Sequence, residues 1–593
     1  MEVEAESIRI VTVSKVESPS PGDFNSLSDA LAVVKPNTCV RILAGVYEEP
    51  PIIVDVDDIQ VIADGVVSII CRSMDAVLKL RSRRTLLKGL KLILVLPEEV
   101  ETDGLSCIVV ENGSVTMEEC HISGSAGGVL VMPSAPDDAP EPVFRSCHIT
   151  ECKDFAIKVM GGSNPHFDQC QIYNIKGFGI VACGDARGVF SGNDISSTSH
   201  AAVVSGGKSA STFDGNTIHH CSQGGFWVQE ESVSTIINND VHNTRLAAFQ
   251  VGGHANPTIM GNTARESQGG GIVVHENALG VYTRNTVRNN RLAGVGVTDD
   301  ADPLFTANTI CDGQSGGVVL HGKCMGVFER NRITNNARAN VGLKGQARPL
   351  FDGNTVSGGS GYGIWIQDTA SGTFQNNVIE RNAFANVAVS DSATPLLENN
   401  VIADGLQMGL LLRHTERGVY RSNKISGHAS GNIVMLDQSA ALLVGNHISR
   451  GRAGGVLVRG SSCPTIRQNR ITANEGANLA VLDEAAPIME DNLLADSPAR
   501  GLVIIAKAGG EYRRNTIRNS DLANVYVGGQ ATPLLEGNSI LDGAASGLVI
   551  EDNALGVFRL NLIAGHEQPA VAVQGHANPV MELNMVMHGG SGG

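Results

Sequence analysis

No stretch of this chain is apolar and long enough to cross a membrane. The most apolar run, Leu86 to Leu96, is short and carries lysines, which suits an early strand. The start, Met-Glu-Val-Glu-Ala-Glu, lacks the basic head and apolar run of an export signal. Twelve cysteines occur in no Cys-x-x-Cys spacing, and nothing resembles a zinc site. A reduced, cytoplasmic protein without metal or cofactor is therefore expected. Basic residues are in short supply: 44 Lys and Arg face 61 Asp and Glu, a net charge of −17 that disfavours nucleic acid as a partner. Helical periodicity is missing from nearly the whole length.

What is present is a ruler. Asparagine recurs every 23 residues from Asn193 to Asn584 without insertion, and the same slot upstream holds Cys170, Cys147 and Cys120. Three residues before it stands a large apolar side chain, as in Phe190, Phe213, Phe328, Phe351 and Tyr420, and two after it a β-branched or apolar one. Further on comes an apolar-x-apolar pair such as Ile364/Ile366 or Val456/Val458, the period-two mark of a strand with one buried face. Before that pair the residue is Gly or Asn (Gly317, Asn340, Gly363, Asn386, Gly409, Asn432). Both types tolerate the left-handed conformation, so the column reads as a tight corner. A fixed period of this length with short strands predicts coils stacked about 4.8 Å apart. The fold class is thus all-β: a single-stranded right-handed parallel β-helix of 23-residue coils, its asparagines forming a buried amide ladder. The phenylalanines form a core column, their alternative being a sugar-stacking platform.

Stretches such as Asn256-Pro-Thr-Ile-Met-Gly-Asn-Thr and Gly269-Gly-Gly-Ile-Val-Val-His-Glu-Asn-Ala-Leu-Gly resemble the pectin-lyase-like superfamily and its CASH/NosD-like repeats. They look closest to the β-helix half of the F-box-only proteins. The resemblance spans roughly residues 60–588. It implies the right-handed β-helix, on which lyases, hydrolases, epimerases and binding modules all occur.

In chain order, residues 1–22 read as an entry segment and 23–60 as a capping helix with the first coil. Residues 61–588 read as the β-helix and 589–593 as a Gly/Ser tail. Ser26 is the expected N-cap, Pro36 the stop, and Leu27, Ala30, Leu31 and Val34 the apolar face. No F-box-like helical region precedes this segment.

Two sets of candidate site residues emerge. Acids follow the third strand at Glu276, Asp299, Asp368, Asp391, Asp437, Asp483 and Asp552. For a carbohydrate-active enzyme the catalytic candidates are Glu276, Asp299, Asp300, Asp302, Asp368 and Asp391, since neighbouring coils bring such carboxylates near the spacing of retaining glycosidases, about 5 Å. The same column suits a solvated turn, and no polygalacturonase motif set accompanies it. The second set faces outward with a 46-residue super-period: Trp227, Val273, Val319, Trp365, Leu411 and Leu457, flanked by basic residues including Arg413 and Arg459. An apolar ridge with basic flanks fits a peptide. The favoured expectation is accordingly a non-enzymatic protein-binding scaffold, or a substrate-recognition module in a ubiquitin-ligase-like, cytoskeletal or ciliary assembly. Protein partners are expected along that sheet and at the C-terminal end, with no membrane. The alternative is a carbohydrate-active enzyme (lyase, hydrolase or epimerase) or a glycan-binding module.

Overall fold

The computed structural model describes residues 8–15, 23–97, 102, 104–135, 138–414 and 417–587. The expected Gly/Ser tail lies outside them, as do most of the 1–22 segment and parts of the loops at 97–104 and 133–142. The chain forms two compact units, Met1–Leu292 and Ala293–Gly593.

The first coils combine one long strand with a short one (Thr38–Glu48 with Ile52–Val54, Ile59–Cys71 with Leu78–Leu80), and from Ser114 onward each coil has three short strands. In one coil of the second unit these are β1 (Leu350–Asp352), β2 (Thr355–Ser357) and β3 (Ile364–Ile366). Each pairs in parallel with its counterpart one coil on, in strict register: Phe351 with Phe374, Val356 with Ile379, Trp365 with Ala388. Phe351, Val356, Ile364 and Ile366 point inward and are buried. One left-handed residue turns each corner: Gly353 (φ 64°), Gly358 (φ 67°) and Asp368 (φ 58°). The core rings stack face to face, with Phe305, Phe328, Phe351 and Phe374 at centroid separations of 5.2, 4.5 and 5.1 Å. Buried in this way they are packing, not a sugar platform.

The asparagine ladder is built as expected. The backbone N–H and Nδ2 of Asn377 both donate to Oδ1 of Asn400, at 2.9 and 3.0 Å. Asn400 repeats this toward Asn423 and also donates to the Phe374 carbonyl, at 2.8 Å. In the first unit the series ends where Asn193 Oδ1 accepts the N–H of Cys170. Cys120, Cys147 and Cys170 are buried in that slot.

At the first unit's start, Arg9–Val13 pairs with Thr38–Ile42, inside the expected entry segment. The helix is shorter than its apolar pattern, Leu27–Leu31, with Ser26 as N-cap. Leu27, Ala30 and Leu31 are buried, while Val34 falls beyond the helix. The buried Glu49 carboxylate accepts from Ser26 Oγ and Leu27 N–H, each at 2.8 Å, satisfying donors the short helix leaves free.

The Gly/Asn column is not a left-handed corner. None of Gly317, Asn340, Gly363, Asn386, Gly409, Asn432, Gly455 or Asn478 has positive φ. These asparagines belong to a second buried polar chain in the second unit. Asn336 Nδ2 donates to Asn340 Oδ1, Asn340 Nδ2 to Asn382 Oδ1, and Asn382 Nδ2 to Asn386 Oδ1, at 2.8, 2.9 and 2.9 Å. The chain passes through His428 and resumes as Asn432 Nδ2 to Asn474 Oδ1 and Asn474 Nδ2 to Asn478 Oδ1. Alternate coils carry glycine in these slots because the amides fill their space. A Cβ on Gly359 would sit 2.7 Å from Asn340 Nδ2, and one on Gly405 2.7 Å from His428 Cδ2. From Gly317 to Asn524 the outward 46-residue super-period runs in step with this alternation of amide coil and glycine coil.

Direction fixes the histidine. Asn386 Nδ2 can only donate, so His428 Nε2 accepts at 3.0 Å, and the ring proton sits on Nδ1, donating to Asn432 Oδ1 at 2.7 Å. Burial pushes the His428 pKa below its ordinary value, as it does for buried His566. The unfolded chain then takes up a proton at higher pH than the native one. This contribution to stability is therefore complete above about pH 6.5 and is lost as pH falls from there through the lowered native value. Acid unfolding monitored by circular dichroism should show His428→Asn, the residue this slot holds at 382 and 474, less acid-sensitive than wild type. Equal sensitivity would mean that His428 is not buried neutral.

Candidate functional site

The surface of the second unit concentrates its unusual chemistry around Trp365. This residue is the outward member of β3, between Gly342 on one neighbouring strand and Ala388 on the other. The indole is half-buried, and on the Gly342 side a Cβ would meet nothing within 4 Å. Tyr362 lies 5.1 Å from it, centroid to centroid, and Phe384 a further 5.6 Å from Tyr362. Phe384 is 46% exposed on a chain whose other phenylalanines are mostly core. Lys344 Nζ sits 5.8 Å from the indole centroid.

Polar groups ring this platform. Gln367, next outward along the strand, has its Nε2 sheltered from solvent with no hydrogen-bond partner. Asp368 Oδ2 accepts the Gly345 N–H at 2.8 Å. Asp391 Oδ2 accepts the Asp368 N–H at 3.3 Å and the Ser390 hydroxyl at 3.1 Å. The arrangement offers apolar ring faces beside donors and acceptors, which suits a ligand with apolar C–H faces and many hydroxyls.

The expected carboxylates are only partly brought together. Asp368 and Asp391 are neighbours through that backbone contact. Asp299, in the same unit, takes the Thr298 hydroxyl at 3.1 Å, with Asp300 and Asp302 exposed nearby in sequence. Glu276 belongs to the first unit, where its carboxylate accepts the Gly253 N–H. The same device recurs at Glu230, Asp483 and Asp552. The acid column thus fastens successive corners, and its left-handed φ values match the solvated-turn alternative. Among the described residues no cluster of His, Cys, Asp and Glu is fit to hold a metal ion.

The apolar ridge is half-buried rather than prominent: Val319, Leu411 and Leu457 in the second unit, Trp227 and Val273 in the first. Trp227 sits beside Val204 and Gln250. The basic flank expected to attract a peptide is neutralised. Arg413 Nε is 2.8 Å from Asp437 and Arg459 Nε 3.1 Å from Asp483. Sequence reasoning found Trp365 but missed Tyr362, Gln367 and Phe384. Their available signal was that both rings fall outside the 23-residue aromatic column.

Among solved structures the chain resembles the PL6 family alginate lyase AlyGC (9% identity, 98% of this chain and 100% of that one, TM-score 0.34). It also resembles the pectate lyase Pel9A (13%, 47% and 76%, TM-score 0.34). A third is the periplasmic alginate epimerase AlgG (13%, 66% and 77%, TM-score 0.27). No curated protein matches the sequence. The expected protein-binding scaffold is corrected: Arg413 and Arg459 of the flank that was to attract a peptide are already paired within the molecule. Among the described residues no helix is long and apolar enough to cross a membrane. The family model described as "Right handed beta helix region" matches residues 99–184, 166–309, 293–448 and 431–586. With the ladder, stacked rings and parallel coils described above, the chain belongs to the right-handed beta helix family.

Proposed function

We propose that this protein is a carbohydrate-active β-helix whose second unit binds a polysaccharide on the β3 face, in a cytoplasmic setting. The observation carrying this reading is the cluster of half-exposed Trp365 and Tyr362 with exposed Phe384, beside a Gln367 whose Nε2 has no partner. Sugar rings present apolar C–H faces that pack on aromatic rings, and their hydroxyls need the donors and acceptors set around them. Asp368 and Asp391 would serve a bound sugar as hydrogen-bond acceptors at the adjoining corners. Their existing backbone bonds make binding, rather than turnover, the property to test first.

Affinity electrophoresis through gels containing polygalacturonate, alginate, xylan or amylose supplies the test. At least one polymer should retard the wild-type chain. Trp365→Ala should weaken that retardation roughly thirtyfold, the loss of a buried aromatic anchor being about 2 kcal/mol. Trp227→Ala, in the first unit, should not. Retention by none of the four, or equal retention of Trp365→Ala and wild type, overturns the reading.

A further inference from the structure

On the outward face of the second strand in each coil, one row departs from the pattern of the rest of the second unit. Lys424, His447 and Arg470 occupy the same outward slot on three consecutive coils, Cα partner to Cα partner. Val401 and Leu493 bound the row. All three are exposed, as is Arg450 at the adjoining corner, which donates to Ser426 Oγ at 3.4 Å.

Among the described residues the exposed Arg332, Arg338, Arg348 and Arg452 have no ion pair, but several other outer arginines of this unit are matched by a carboxylate one coil away. Examples are Arg421 with Glu398, Arg467 with Glu490, Arg514 with Asp491 and Arg559 with Glu536. Among the described residues no ion pair involves Lys424, His447, Arg450 or Arg470. Adjacent strands lie about 4.8 Å apart, and like charges directly opposite one another on a sheet repel. The repulsion is felt at His447: burial first, then Arg470, Lys424 and Arg450, lower its pKa. An acidic chain with net charge −17 keeps here two exposed cations, Lys424 and Arg470, on either side of a histidine whose protonation they disfavour, and an anionic ligand would relieve that repulsion.

We infer that the Lys424–His447–Arg470 row is a second binding surface, for a polyanionic polysaccharide carrying carboxylate or sulfate groups. The ligand's class rests on the polysaccharide reading above; the surface does not, since it lies on a different strand and uses none of the platform residues. Its form fits a linear polymer with charges repeated along its length, because Lys424, His447 and Arg470 lie along one line across three coils. Among the described residues no Phe, Tyr or Trp is exposed on these three coils to stack a base, which favours sugar over nucleic acid.

The test titrates the full chain with polygalacturonate, dextran sulfate, uncharged dextran and poly(dT) by calorimetry at low and moderate salt. The two anionic polysaccharides should bind in a salt-sensitive manner, and their relative affinities identify carboxylate or sulfate as the recognised group. Lys424→Glu with Arg470→Glu should weaken both roughly tenfold, and the neutral pair Lys424→Gln with Arg470→Gln about threefold. The neutral pair serves should the reversal impair folding. These losses should persist in a Trp365→Ala background, separating this surface from the platform. Unchanged polyanion affinity in both pairs overturns the inference while leaving the platform reading intact. Patch-dependent binding of poly(dT) at equal or greater affinity overturns the assigned occupant. Equal affinity for dextran and dextran sulfate overturns the role of charge.

Discussion

Replacing Asn400 by leucine is expected to destabilise the second unit by about 3–5 kcal/mol, although the side chains are similar in size. The leucine cannot accept from the backbone N–H of Asn377, nor donate to the Phe374 carbonyl, and both groups are buried. Nδ2 of Asn377 keeps only its bond to the Phe351 carbonyl. Each orphaned group costs its full desolvation penalty, about 1–3 kcal/mol, while the leucine adds little new burial in a slot already closed to solvent. Denaturant unfolding with amide exchange on the neighbouring coils would measure this. A loss under about 1 kcal/mol would mean that the ladder is not what holds the coils in register.

A methyl group on Gly363 is expected to cost about 3 kcal/mol, at the upper end for overpacking, because the obstacle is backbone. Its Cβ would lie 2.4 Å from the Asn386 carbonyl oxygen and 2.5 Å from Asn382 Nδ2, and neither can retreat without breaking the polar chain. Gly342→Ala, where nothing stands within 4 Å, is the matched control and should be nearly neutral. If both substitutions behave alike, the two-coil alternation has another cause.

These two residues also mark how far the sequence could be read. The Asn400 column was legible because its period is unbroken and a buried amide demands a partner at the same height in the next coil. The Gly363 column was visible but misread. Glycine and asparagine share a tolerance of left-handed φ, so residue type alone cannot separate a corner from an amide filling the room a glycine leaves. The discriminating signal was the pairing of Asn340 with Asn336 and of Asn386 with Asn382, which corner geometry does not require.

The site was less legible for a related reason. Arg413 looked free beside an apolar ridge, yet Asp437 lies one coil and one residue further on, so the acid column answers the basic one in space. The same arithmetic, applied to Lys424, His447 and Arg470, finds no such acid, and only the packed coils show that omission as a row. Phe384 shares its slot with Leu246, Leu292 and Leu522, but Tyr362 has no aromatic counterpart one coil away, so the contacts of Tyr362 with Trp365 and with Phe384 were not legible from the period.

The most direct test of the polysaccharide reading uses the scarcity of tryptophan. With Trp227→Phe, the indole of Trp365 becomes the chain's sole tryptophan emitter. Titration with the polymer that retards the chain in affinity gels should shift and saturate that emission, with a midpoint matching the gel-derived affinity. Emission that stays constant while the polymer binds would place the sugar elsewhere and contradict the account.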